Sequence, residues 1–341
     1  MLRHTRYAFF LLILLAACKG GTDAPDVSDI KARLSVRRYD QDLFAVDTNH
    51  IAEGLTRLKQ KYPDFQDFYL DTLLGIPVNG QYDESSPAIR EGVHALLTHH
   101  DYRGVFDSVK AHFPDTREVE DRLLKGYRYY RHYFPTAPEE KKVVFFSANL
   151  NRYAAITYGD MLGVGLDMYL GPQYPFYRAV EVPQYMTRRL TPQYIPVDAF
   201  ISIHRDQHPF EAEDRSLLDM MIQKGQEQYF LEKVLPFEPD SVRFGLSSAH
   251  LQWCKDNEAQ VFNYFASNKL LYETSTLKVL RYVNDGPRHA SMPPESPGNV
   301  GTYVGYRIFK AWMEKHSDMP LDKAMARMEA QKVLQESHYK P

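Results

Sequence analysis

Apolar residues recur at three- and four-residue intervals through most of the chain, the spacing that gives a helix one buried face. The pattern predicts helices over about 48–74, 86–100, 102–113 and 116–133, and again over about 193–207, 215–234, 246–271, 300–316 and 320–336. Between the two sets, after a break at Thr136–Lys141, the period changes. Lys142–Leu150, Tyr153–Gly159 and Met161–Gly171 are short, β-branched and aromatic runs separated by turn residues, which read as strands of a small sheet. The expected fold class is therefore α+β, mostly helical, with a small mid-chain β-sheet. Ser85-Ser86-Pro87 supplies a hydroxyl cap and a first-turn proline for one helix start. Asp285–Asn299, with four prolines and two glycines, is the longest predicted loop, and Val36–Phe44 is a short mixed stretch. No internal repeat occurs.

The first residues follow a different rule. Arg3 and Arg6 precede an uncharged apolar run from Ala8 to Ala17. A bilayer span needs about 20 such residues, so this shorter run reads as a secretory signal peptide. Leu15-Ala16-Ala17-Cys18 resembles the lipobox of bacterial lipoproteins, in which the cysteine is lipidated and becomes the first residue of the mature protein. Several acyl chains at Cys18 anchor firmly where one binds reversibly. Lys19–Asp26 reads as a flexible tether. Lys19, in place of an acidic residue directly after Cys18, favours outer-membrane sorting; the periplasmic face is a separate expectation that this residue does not decide. The expected organisation is a signal peptide over 1–17, a lipidated cysteine and tether over 18–30, and one domain over 31–341. That domain has a helical part to about 135 and a second part over about 140–341.

Composition adds exclusions. A 44% hydrophobic and 25% charged chain of 341 residues is ordinary for a globular body and large enough to fold without disulfides or metal. Removing residues 1–17 takes two of the 41 basic residues and none of the 44 acidic ones, so the mature chain is more acidic than the formal −3 of the whole. No basic stripe for a nucleic-acid partner is left. Cys254, beside Trp253 in a helical pattern, reads as a buried thiol rather than a nucleophile. The 24 tyrosines and 19 phenylalanines admit a sugar-binding reading, but runs such as Gly126–Phe134 have the spacing of core packing.

One motif has metal-ligand spacing: His204-Arg205-Asp206-Gln207-His208. A zincin places two histidines one turn apart on a helix, with a glutamate after the first as general base. Here Arg205 holds that base position and cannot accept a proton. Pro209 pushes His208 out of the α region. His204 also continues the apolar stripe of Val197, Phe200 and Ile201, so packing and ligation remain competing readings for it. Asp167 lies beside glycines at the end of a predicted strand, and it can act either as a turn aspartate or in a site that a ligand approaches closely. Gly298 and Gly301 form a Gly-x-x-Gly before a helix, an anion-binding possibility, although Gly301 and Gly305 also have the spacing of close helix packing. Neither a Walker motif nor Gly-x-Ser-x-Gly is present.

Four segments in order behind the lipobox, Tyr158–Tyr177, Leu217–Pro236, Trp253–Thr274 (with Glu258) and Pro297–Met313, resemble the gliding-motility lipoprotein GldB family of Bacteroidetes. That family is in turn distantly similar to a group of predicted zinc-dependent proteases, which implies a zincin-like body. In those proteases the helix matched by Ser216–Glu227 carries a glutamate before its glycine, whereas this chain has Lys224 before Gly225. Their His-Glu-x-x-His falls at Val197–Ile201, where no histidine stands. The resemblance thus implies a scaffold without its catalytic groups, no cofactor, and an envelope lipoprotein that supports gliding motility or type IX secretion through protein partners. The rival expectations are a metallohydrolase using His204, His208 and an acid such as Glu211 or Glu213, and a lipoprotein that binds carbohydrate or peptide.

Overall fold

The computed structural model describes residues 24–210, 212–288 and 291–341. Cys18, the signal peptide and Glu211 lie outside the described residues. The body is mostly helical around a four-stranded mixed sheet, the expected class. The strands are β1 (Arg33–Arg38), β2 (Glu140–Phe146), β3 (Ala155–Tyr158) and β4 (Met161–Gly165), in the order β1-β2-β4-β3. β1, β2 and β4 run parallel, and β3 returns antiparallel on β4 across the Gly159-Asp160 turn.

Successive side chains of a strand point to opposite faces, and β2 uses both. Val143 and Phe145 enter a large core built with the C-terminal helices, while Val144 and Phe146 enter a second core built from residues 39–106. Helices cover the sheet on both sides, which explains why the middle of β2 is apolar without alternation.

β1 is not mid-chain and was not expected as a strand. Its two apolar residues, Leu34 and Val36, are too few to announce a period of two, and its partner lies about a hundred residues away in sequence. Several expected helices are also divided. The 48–74 pattern becomes Ile51–Lys61 and a π-helical turn at Phe68–Leu73, interrupted at Tyr62-Pro63. The 246–271 pattern becomes Ser248–Asp256, Glu258–Ser267 and a 3₁₀ turn at Leu270–Tyr272, with the break at Asn257. An additional helix, Thr276–Val283, precedes the long loop.

Two helices form the centre of the larger core. Leu217–Val234 starts in a capping box, with Ser216 and Asp219 each satisfying the other's backbone N–H, and it is buried on nearly every side. Val300–Lys315 crosses it at backbone contact. A Cβ on Gly305 would lie 1.9 Å from the Met221 carbonyl oxygen, and one on Gly225 would lie 2.4 Å from the Gly305 oxygen. Among the described residues no helix is long and apolar enough to cross a membrane.

Candidate functional site

A cleft of about 1020 Å³ opens between β3, the helix Ile195–Gln207, the central helix Leu217–Val234 and the start of Val300–Lys315. Asp198, Ile201, Ser202 and Arg205, spaced along one face of Ile195–Gln207, line it. Lys224, Glu227 and Gln228 come from the central helix, Asn299 and Thr302 from the start of the next, and Asp285 from the long loop. That loop is drawn tight where Gly298 meets Gly286, since a Cβ on Gly298 would lie 2.7 Å from the Gly286 oxygen. The contact brings Asn299 against Asp285, whose Oδ1 accepts from Asn299 Nδ2 at 3.1 Å.

Six charged groups of the cleft are paired in two sets. Arg189 donates to Asp198 at 3.1 Å and also to Asp285. The second oxygen of Asp198 accepts from the Tyr169 hydroxyl at 3.0 Å. Arg205 grips both oxygens of Glu227, at 2.6 and 3.0 Å, and Lys224 reaches the same carboxylate at 3.4 Å. The Lys224 ammonium also lies 4.6 Å from the centre of the Phe210 ring. Every oxygen of Asp198, Glu227 and Asp285 therefore already accepts a hydrogen bond.

Burial and pairing set the protonation of these groups. Burial raises the Glu227 carboxyl, but Lys224 and Arg205 outweigh it and hold the group down at about 2. Burial lifts Asp198 above the usual carboxylate range, against the opposing pull of Arg189 and Tyr169. Lys224 is lowered by burial, with Glu227 acting against the shift. Two buried amides on the cleft wall keep an acceptor without a donor among the described residues: Asn299 Oδ1 and Gln228 Oε1.

The histidine pair lies elsewhere. His204 is buried on the core side of its helix, its ring centre 4.9 Å from that of Phe230, and it does not line the cleft. The helix ends at Gln207 and His208 is outside it, as Pro209 requires, yet the two imidazole centres are 5.0 Å apart. Burial lowers His204 to about 4 and lowers His208 as well. Among the described residues no group of three or more His, Cys, Asp or Glu is placed to hold a metal ion.

The other expected positions have backbone partners. Asp167 is fully buried and accepts from the amides of Ala148 at 3.2 Å and Leu150 at 2.6 Å, holding a turn in which Asn149 and Leu150 have positive φ. Burial lifts its carboxyl to about 6 against those amides. Gly301 admits the Tyr282 carbonyl, which would lie 2.8 Å from a Cβ there. Cys254 is buried, and burial pushes its thiol up to about 12. Sequence reasoning singled out Lys224 and the Val197–Ile201 segment, and both Lys224 and Asp198 face the cleft. It missed Arg189, Asp285 and Asn299. The spacing of Glu227 three residues after Lys224 was the one available signal for the second ion-pair set.

The family model described as gliding motility protein GldB matches residues 20–341. No curated protein and no solved structure matches the chain.

Proposed function

The chain belongs to the gliding motility protein GldB family, and from that premise we propose a lipid-anchored envelope protein that supports gliding motility, or the associated type IX secretion machinery, by binding protein partners without turnover. The observation that carries the non-catalytic part is the state of the paired carboxylates of the cleft, Glu227 and Asp198. A general base needs an acceptor free to take a proton at working pH. Glu227 is held at about 2 by two cations, and both oxygens of Asp198 are engaged by Arg189 and Tyr169. Lys224, at the position where the similar proteases carry a glutamate, is part of that ion pairing rather than a ligand for a cation. The zincin-like ancestry proposed for the scaffold agrees with this placement, since Asp198 and Lys224 meet in one cleft.

The test is genetic. Deleting the gene in a gliding host is expected to abolish surface spreading or the secretion that accompanies it, and the wild-type gene is expected to restore both. Spreading and secretion equal to the parent strain after deletion would contradict the proposal.

A further inference from the structure

β3 borders the cleft, and its hydrogen-bond register states what can be added there. It is the last strand of the sheet, so one edge faces β4 and the other faces no strand. Ala154 O accepts from Gly165 N at 2.9 Å, and antiparallel pairs alternate between bonded and non-bonded. With Ile156 opposite Gly163 and Tyr158 opposite Met161, the bonded positions are Ala154, Ile156 and Tyr158. The N–H and C=O groups of Ala155 and Thr157 therefore point away from β4. Among the described residues no hydrogen bond reaches these four groups. Ala154, Ala155, Ile156 and Thr157 all line the cleft.

The two edges of the sheet are treated differently. β1, at one end, carries Arg33, Arg37 and Arg38 in six residues, the charge that discourages pairing with another chain. β3, at the other, reads Ala-Ile-Thr-Tyr, with neither charge nor proline. We propose that the cleft takes an extended peptide segment of a partner protein as a strand added to β3. This rests on the partner-binding reading above and gives the form in which the partner is held.

Two outward residues two positions apart match residues i and i+2 of an incoming strand, at about 3.3 Å per residue. Alternate side chains of that strand would meet the cleft wall, where Ile201, Met168 and Phe210 are apolar and Arg205 and Asp206 are exposed charges.

The experiment pans a random heptapeptide phage library on the full-length protein in detergent, with Thr157→Pro as the counter-target. Proline removes only the outward N–H at this position, and Ile156 before it is already extended. Peptides enriched on the wild type are then synthesised and measured by fluorescence polarisation. Losing one such hydrogen bond and the fit around it is expected to weaken binding about tenfold in Thr157→Pro. N-methylation of the alternate peptide amides that face β3 should abolish binding, and methylation of the intervening amides should leave it. No enrichment over the counter-target, or equal sensitivity to methylation at both sets of amides, would overturn the proposal. If Thr157→Pro loses its helical circular dichroism, the methylation series on the wild type decides alone. The two readings fail separately. Cleavage of a β3-bound peptide, read by mass spectrometry, contradicts only the non-catalytic reading, whereas absent peptide binding with motility still lost on deletion contradicts only strand addition.

Discussion

Arg189 is the residue on which one half of the cleft depends, because it is the shared partner of Asp198 and Asp285. Removing one partner of a largely buried pair leaves the other charge uncompensated, so Arg189→Met is expected to destabilise the fold by roughly 3 kcal/mol, read by urea denaturation. His204 makes a different prediction. Its folded pKa of about 4 lies below the ordinary value of 6.5, so the folded state binds fewer protons than the unfolded one. Its contribution to stability is complete above pH 6.5 and is lost as pH falls toward 4, by up to about 1.4 kcal/mol per pH unit. His204→Phe, which keeps a ring against Phe230, should flatten the stability profile across that window. An unchanged slope would remove His204 from the account. Glu227, held down at about 2 against 4.5, loses its contribution over a lower window, and Glu227→Gln should flatten that one instead. At this scale the sequence was informative where residue chemistry was sufficient by itself: Pro209 puts His208 outside its helix, and Lys224 and Asp198, both in segments singled out from the sequence, line the cleft. Asp285 and Asn299 could not be read, because they come from an aperiodic loop whose path is set by the contact of Gly286 with Gly298.

Among the elements, the crossing of the two central helices leaves the least room. Gly305→Ala would drive a methyl group against the Met221 backbone, which cannot turn aside as a side chain can. A cost of roughly 2 kcal/mol or more is expected, measured as a lowered thermal midpoint. A variant as stable as the wild type would mean that the helices pack less closely than described. The spacing of Gly301 and Gly305 points to such packing by itself, since small residues one turn apart let two helix backbones approach closely. Long periodic helices and the three mid-chain strands were legible for the same reason: their partners are close in sequence or their pattern is long. The division at Asn257 was hidden because apolar spacing continues across it, whereas Pro63 marks the division at Tyr62-Pro63 in the sequence itself. β1 was hidden because its strand character comes from a distant partner. The bare edge of β3 was invisible for a further reason: whether a strand is an edge is decided by strand order.

For the molecule as a whole, the proposed function joins a lipid anchor at Cys18 to a cleft that holds a partner. Cys18→Ala is expected to abolish incorporation of labelled palmitate and to release the protein from the membrane fraction. Retention of a fully membrane-bound, unlabelled protein would contradict lipid anchoring at that residue. The sheet, covered on both faces by separate cores, holds β3 beside the cleft and the central helices. The proposed function offers partners a cleft of ion pairs and unpaired β3 amides and assigns no metal to the histidine pair that lies outside it. The most direct test is the zinc content per chain of the full-length protein purified from its native envelope, compared with that of the His204→Ala, His208→Ala double variant. The expected result is a substoichiometric content that the double substitution does not change. One zinc per chain that disappears in the double variant would contradict it.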